Sequence, residues 1–316
     1  MEDRAISTEA VPLGKSGLTV SPLGVGTWAW GDRFYWGYGR EYTDEALREA
    51  FQVSVASGIR FFDTAEVYGW GRSERLLGQF LRELGRPQVI ATKFMPFPWR
   101  WRRKDLLRAL HGSLRRLGLA RVDLYQIHWP LPPVPIETWM EALAEAVEAG
   151  LVKAVGVSNF NVEQMRRAHE ALARRGIPLA SNQVQYSLLH RRPEFDGLMA
   201  ACRELDITLI AYSPLAMGVL TGKYTPSQPP PGLRGRRYHR RRLAQIQPLL
   251  DLLRDLAAAH DKTPAQIALN WVIGKGAVPI PGAKNARQAQ ENAGALGWRL
   301  SAEEMAALDA ASSACR

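Results

Sequence analysis

The feature that most constrains this chain is a repeat: eight short apolar runs, each followed by a stretch of helical periodicity. The runs fall at 22–27, 60–63, 88–93, 122–127, 151–157, 180–185, 207–211 and 277–280. A helical pattern opens at Thr43 and stops at Gly58, and the others follow at 72–84, 104–118, 137–148, 161–175, 194–205, 243–260 and 286–294. Strand-then-helix units imply parallel strands, and eight in one chain imply a closed (β/α)8 barrel (a TIM barrel) rather than a doubly wound open sheet, the competing arrangement. Unbroken apolar runs such as Val89-Ile90-Ala91 and Val155-Gly156-Val157 fit strands buried on both faces. Short apolar pairs between Val11 and Val20, around Gly14-Lys-Ser-Gly17, predict a hairpin before the barrel. Two further helices are predicted near 263–274 and 302–312, a loose polar segment over 1–10, and one domain over 1–316.

One motif misleads. Gly24-Val-Gly26-Thr-Trp-Ala29 fits a loosened dinucleotide fingerprint, but that motif needs a helix directly after it. Here an aromatic, glycine-broken loop follows, Trp30-Gly-Asp-Arg-Phe-Tyr-Trp-Gly-Tyr-Gly39, so a Rossmann reading is rejected.

In a parallel barrel the chemistry lies at the C-terminal ends of the strands. The second run ends on Asp63 and its loop carries Tyr68, the third ends on Lys93, and the fourth runs into His128 and Trp129. Each has a plain structural reading alone, as a rim ion pair, a buried imidazole or a packed ring; together, at matching ends of adjacent strands, they form a set. Asp63 is the natural counter-ion for Lys93. An ammonium beside Tyr68 is expected to lower a phenol pKa that is ordinarily about 10. His128 is then placed to orient a carbonyl by hydrogen bonding. Such a set suits proton delivery to an oxygen gaining negative charge. There is no metal-ligand cluster and no nucleophile with an adjacent base, so hydrolysis is not favoured.

The remaining strand ends suit a polar, phosphorylated, aromatic ligand. Ser158, Asn159 and Gln183 offer hydroxyl and amide groups, Tyr212-Ser-Pro-Leu215 offers a ring followed by backbone donors, and Gly218 to Lys223 a basic turn. Ile280-Pro-Gly282-Ala-Lys284 leads into a helix start, an anion site by dipole and free amides. Trp28, Trp30, Phe34, Tyr35, Trp36, Phe94, Trp99 and Trp129 are candidates for an apolar substrate mouth.

With 41 Lys+Arg against 31 Asp+Glu, the net charge is +10. That suits an anionic partner, whether nucleic acid, acidic membrane or phosphorylated cofactor. The basic residues crowd at Arg100–Lys104 and Arg234–Arg242. Only Tyr238 and His239 interleave the second cluster, too little for base stacking, so no nucleic-acid partner is expected. No apolar run approaches a membrane span, and Met1-Glu-Asp-Arg lacks a leader's profile, which predicts a cytoplasmic protein. Cys202 and Cys315 have no metal-site partners.

These residues resemble the aldo-keto reductase superfamily over nearly the whole chain, from about Val11. Gly58-x-Arg60-x-x-Asp63-Thr-Ala, with Tyr68 and Ser73-Glu74-x-x-Leu77-Gly78, is similar to its first signature. Ala91-Thr-Lys93, Asp123-Leu-Tyr-Gln-Ile-His128-Trp129, Gly156-Val-Ser-Asn159 and Ala211-Tyr-Ser-Pro214 follow in order. The resemblance implies a barrel that reduces aldehydes or ketones with NADPH, NADH being the lesser candidate. Tyr68 would be the general acid, Lys93 and Asp63 its tuning pair, and His128 the orienting group. It implies cofactor contacts from Gly26 and Thr27, from Ser158, Asn159 and Gln183 at the carboxamide, and from Tyr212 against the nicotinamide. Ser213, Pro214, Leu215, Gly218, Lys223 and Arg234 would serve the pyrophosphate side, and Gly282, Lys284, Gln288, Glu291 and Asn292 the adenosine end. Gln288 stands where many relatives carry an arginine, with Lys284 and Arg287 nearby. Substrate contacts would come from Trp28, Trp30, Tyr35, Phe94 and Trp129. Gly26-Thr-Trp-Ala-Trp-Gly31, Gly150 to Asn159 and Gly294-Ala-Leu-Gly-Trp298 look like a plastid and bacterial branch that includes pyridoxal reductases. Residues 225–242 would fold over the phosphates. The alternative within the resemblance is a cofactor-binding redox sensor with slow turnover.

Overall fold

In a computed structural model, which describes residues 10–315, the strands β1 (Val11–Pro12) and β2 (Thr19–Val20) form an antiparallel hairpin. The segment 1–10 expected to be loose lies, up to residue 9, outside the described residues. Eight parallel strands follow in strictly sequential order: β3 (Val25–Gly26), β4 (Phe61–Asp63), β5 (Val89–Phe94), β6 (Val122–Ile127), β7 (Val152–Ser158), β8 (Leu179–Gln185), β9 (Thr208–Tyr212) and β10 (Val278–Ile280). The first and last strands meet through Gly24 N to Pro279 O (2.9 Å) and Gly26 N to Pro281 O (3.0 Å). Proline has no N–H to return those bonds, so the seam carries half a ladder and β3 is shorter than the apolar run at 22–27. The barrel is nearly closed.

The helices are α1 (Asp44–Ala56), α2 (Arg72–Leu84), α3 (Arg103–Leu117), α4 (Ile136–Glu148), α5 (Val162–Ala173), α6 (Arg192–Phe195), α7 (Leu198–Glu204), α8 (Leu233–Arg237), α9 (Arg240–Gln245), α10 (Gln247–Ala259), α11 (Pro264–Gly274), α12 (Ala286–Ala293) and α13 (Ala302–Ala314). Capping boxes at Asn161/Gln164, Thr263/Gln266 and Ser301/Glu304 start α5, α11 and α13 by satisfying free amide groups. The helix predicted over 194–205 is two, because Gly197 at φ +82° breaks it. The one predicted over 243–260 is likewise split, at Ile246.

Inside the barrel, Phe61, Ala91, Leu124, Ala154, Ala180, Ile210 and Val278 pack into an apolar plug. Leu13 and Val20 of the hairpin join it, so the hairpin closes the barrel's N-terminal end. The helix layer packs outside on residues one step along each strand, such as Phe62, Ile90 and Tyr125. With the lower end filled and stoppered, the open mouth lies at the C-terminal ends.

Candidate active site

The site is built from strand ends. Asp63 closes β4, Lys93 is the fifth residue of β5, and His128 follows β6. Lys93 Nζ lies 2.5 Å from Asp63 Oδ2 and 2.9 Å from the Thr64 carbonyl, with Lys93 fully buried and Asp63 1% exposed. Two side-chain amides donate to the other carboxylate oxygen: Gln183 Nε2 at 2.8 Å and Gln126 Nε2 at 3.3 Å. Three donors on one buried carboxylate offset the cost of removing its charge from water. Room for this cluster depends on Gly156, where a Cβ would strike the Ser181 hydroxyl and crowd Gln126 Cγ. Gln126 is absent from the sequence-level set, although its place two residues before His128 puts it on the same inward face.

Tyr68 sits above this pair. Its hydroxyl is 3.4 Å from Lys93 Nζ, and its ring packs edge-on to His128 with centroids 5.7 Å apart. The loop that carries it is anchored on both sides. Ser73 at the start of α2 bonds Thr27 and Thr64, and the Glu66 carboxylate accepts from Met95 N and pairs with Arg100. Beyond Tyr68 the chain turns through three successive positive-φ residues, Gly69 (54°), Trp70 (54°) and Gly71 (79°). For tryptophan that conformation is uncommon, and it leaves the Trp70 ring 82% exposed beside the phenol.

The electrostatics correct one expectation. Proximity alone predicts that Lys93 lowers the Tyr68 pKa, yet burial, reinforced by the negative charge of Asp63, holds the phenol well above its ordinary value. The ammonium's charge is largely balanced by Asp63, so desolvation of the phenolate dominates. Burial also pulls the Lys93 pKa down, against the opposing pull of Asp63. His128 is lowered to about 3, first by burial and then by Lys93. At neutral pH the mouth therefore holds a protonated phenol and a neutral imidazole above a buried ion pair. With its folded pKa below the ordinary 6.5, His128 contributes stability that is complete above about pH 6.5 and declines as pH falls toward 3. Its ring resonances are accordingly expected to stay constant from pH 5 to 9 in an NMR titration; a midpoint near 6.5 would contradict this.

Over the site opens a cavity of about 1200 Å³. Around Tyr68 its walls are apolar and aromatic: Trp28, Val67, Trp70, Met95, Phe97 and Trp129. The opposite end is polar and cationic, lined by Lys223, Tyr224, Arg234, Lys284, Asn285, Arg287, Gln288, Glu291 and Asn292. Between them lie Gly26, Ser158, Asn159, Gln183, Tyr212, Ser213, Pro214, Leu215, Gly218 and Gly282. Tyr212 is held by its hydroxyl on Asn159 Oδ1 (3.0 Å), and Asn159 Nδ2 bonds the His128 carbonyl (3.0 Å). Lys284 reaches toward Glu41 (3.5 Å) and over the Tyr42 and Trp36 rings, while Arg234 lies over Trp36.

Lys93 lies beneath this cavity, and several other residues expected to face a ligand do not line it either. Thr27 is fully buried, its hydroxyl on the Asp63 carbonyl and on Ser73, so it braces strands and does not face a ligand. Trp30 is also fully buried, with its indole N–H on the Ala283 carbonyl (2.9 Å). Phe94 follows Lys93 on the strand and so points the other way, against Trp139 among the helices. Tyr35 stands behind Trp28, stacked at 5.1 Å with its hydroxyl on Met217 sulfur. Of the other aromatic candidates, Phe34 is 97% exposed in solvent and Trp99 stacks on Phe97 outside the cavity. Trp70, Met95 and Phe97 take their places, and only the folding of the loops after β4 and β5 brings them to the phenol.

The chain is 44% identical over 306 residues to the chloroplastic pyridoxal reductase of Arabidopsis thaliana, covering 92% of this chain and 83% of that one. A solved glycerol dehydrogenase from Gluconobacter oxydans superposes with a TM-score of 0.86 at 28% identity, covering 96% of this chain and 95% of that one. An aldo/keto reductase from Klebsiella pneumoniae, solved with NADP and acetate, gives 0.76 at 30% identity over 94% and 93%. With residues 22–313 matching the model of the aldo/keto reductase family, and an inward ring of strand-end residues to go with it, the chain belongs to that family of oxidoreductases.

Proposed function

We propose that this protein is an NADPH-dependent carbonyl reductase whose substrate is an aromatic aldehyde of the pyridoxal type. The observation that carries this reading is the protonated Tyr68 phenol, set between a buried Lys93–Asp63 pair and a neutral His128, at the junction of an apolar pocket and a cationic groove. The Arabidopsis relative, named a pyridoxal reductase, and the Klebsiella structure holding NADP support the substrate and the cofactor respectively.

The residues of the groove fit a phosphorylated dinucleotide. Lys223, Arg234, Lys284 and Arg287 gather at one end, where the multiple negative charges of such a cofactor would lie. At the other end Asn159 Nδ2 and Gln183 Nε2 are already engaged with protein groups, so the acceptors left for a ligand are Gln183 Oε1 and the second lone pair of Asn159 Oδ1, which already accepts from Tyr212. Two acceptors suit the amino group of a carboxamide, with the Tyr212 ring alongside as a flat support. When bound, the cofactor supplies a hydride. Tyr68 donates its proton to the carbonyl oxygen as charge develops there, and the Lys93 ammonium 3.4 Å from the phenol oxygen stabilises the phenolate that results. Asp63 keeps that ammonium in place, and His128 orients the carbonyl. Trp28, Trp70, Phe97 and Trp129 hold an aromatic substrate and exclude water. A cytoplasmic location is part of the proposal; among the described residues no helix is long and apolar enough to cross a membrane.

The test is NADPH oxidation followed by absorbance against a carbonyl panel. Pyridoxal and other aromatic aldehydes are expected to give at least about tenfold higher kcat/KM than a small sugar aldehyde, the scale set by filling an apolar pocket. Equal efficiency across the panel would overturn the substrate assignment, and NADPH binding without turnover of any carbonyl would favour a sensor instead.

A further inference from the structure

We propose that the groove between α2 and α3, on the outer face of the barrel, is a binding site for a small, multiply charged phosphate anion of about the size of pyrophosphate. Arg75, Gln79 and Arg82 recur at i, i+4 and i+7 along α2 and face Gly112, Arg115 and Arg116 of α3 across a cavity of about 480 Å³. Among the described residues, no acidic side chain lines it. A second cavity of about 380 Å³ shares Gly112, Arg115 and Arg116; its added arginines, Arg100 and Arg108, are matched there by Glu66 and Asp105. None of Arg75, Arg82 and Arg115 is in an ion pair among the described residues, and none lines the barrel mouth.

On the neighbouring outer helices several exposed arginines pair with carboxylates across helices, as in Arg103–Glu145, Arg166–Glu204, Arg167–Glu137 and Arg175–Glu141. Here Arg75, Arg82 and Arg115 face one groove without such carboxylates, and a bound polyanion would reverse their mutual repulsion. The groove is also partly preorganised. Arg116 is fixed by Glu74 through Nε (2.5 Å) and by the Ser113 hydroxyl through Nη2 (3.1 Å), which leaves Nη1 without a partner among the described residues, and the missing side chain of Gly112 opens the wall beside it. Guanidinium forks match phosphate oxygens two at a time.

The test uses the full-length protein and inorganic pyrophosphate, with calorimetry at fixed ionic strength adjusted by sodium chloride. Saturable binding with a dissociation constant below about 1 mM is expected, and Arg75→Ser/Arg115→Ser should weaken it at least about tenfold, the scale for losing charge-assisted hydrogen bonds. The same variant should keep the wild-type melting temperature, because both side chains are exposed. Lys284→Ser, at the barrel mouth, should leave pyrophosphate binding at the groove intact. Heats no larger than the chloride control would overturn the proposal, as would binding lost in Lys284→Ser but kept in the double variant. Binding of single-stranded DNA without any of pyrophosphate would overturn it too, assigning the surface to a longer polyanion.

Discussion

Replacing Tyr68 by phenylalanine is expected to lower kcat for carbonyl reduction by about a thousandfold, within the range of about 10²–10⁴ typical of a lost general acid. The ring would remain. Its edge-on packing against His128 at 5.7 Å and its place in the apolar wall do not depend on the hydroxyl. The substitution removes one polar interaction, the long hydrogen bond from Lys93 at 3.4 Å, so stability should change by no more than about 1 kcal/mol. NADPH affinity should also hold, because the phenol lies at the apolar end of the cavity and the cations at the other. The diagnostic result is therefore a fall in kcat with the NADPH dissociation constant unchanged. A variant retaining a tenth of wild-type turnover would remove Tyr68 from the role of acid. The raised pKa of the phenol bears on the same experiment: burial and Asp63 keep the proton on Tyr68 through neutral pH. The wild-type rate should accordingly show no loss of acid between pH 6 and 8.

The second large effect is expected from Lys93→Met, which should cost about 3–5 kcal/mol of stability and abolish turnover. Methionine fills much of the volume, but it leaves Asp63 buried at 1% exposure with only the Gln183 and Gln126 amides as donors. The double variant Lys93→Met/Asp63→Asn removes both charges and should recover more than half of that stability, since the penalty lies in the orphaned charge and not in the missing bond. Turnover should not recover, because no ammonium remains beside the phenol. Urea unfolding of the two variants separates the outcomes. A loss below about 1 kcal/mol in the single variant would mean that water or a rearranged partner already reaches Asp63.

The barrel was legible because its signal is periodic. Eight alternations of apolar run and helical stripe admit few architectures, and the helix expected over 72–84 matches α2, which Gly71 and Gly85 flank in the left-handed conformation. Helices lost definition where a single local event cut them, as at Gly197 and Ile246. Strand-end logic also reached Asp63, Lys93 and His128, since each terminates an apolar run. The period of two along a strand could have gone further. It places Gln126 inward with His128, and Phe94 outward, away from Lys93.

What the sequence by itself determined, then, is the order of strands, the end of the barrel at which polar groups collect, and the residue types found there. Those follow from hydrophobic periodicity and chain direction, which are local. The tertiary structure decided which aromatic rings face the cavity: loops after different strands bring Trp70, Phe97 and Trp129 together while burying Trp30 beneath Ala283. It also decided the protonation of the site. A pKa depends on how much water is excluded and on every charge within a few ångströms. Both are set by chain segments far apart in sequence, as Asp63 and Gln183 are.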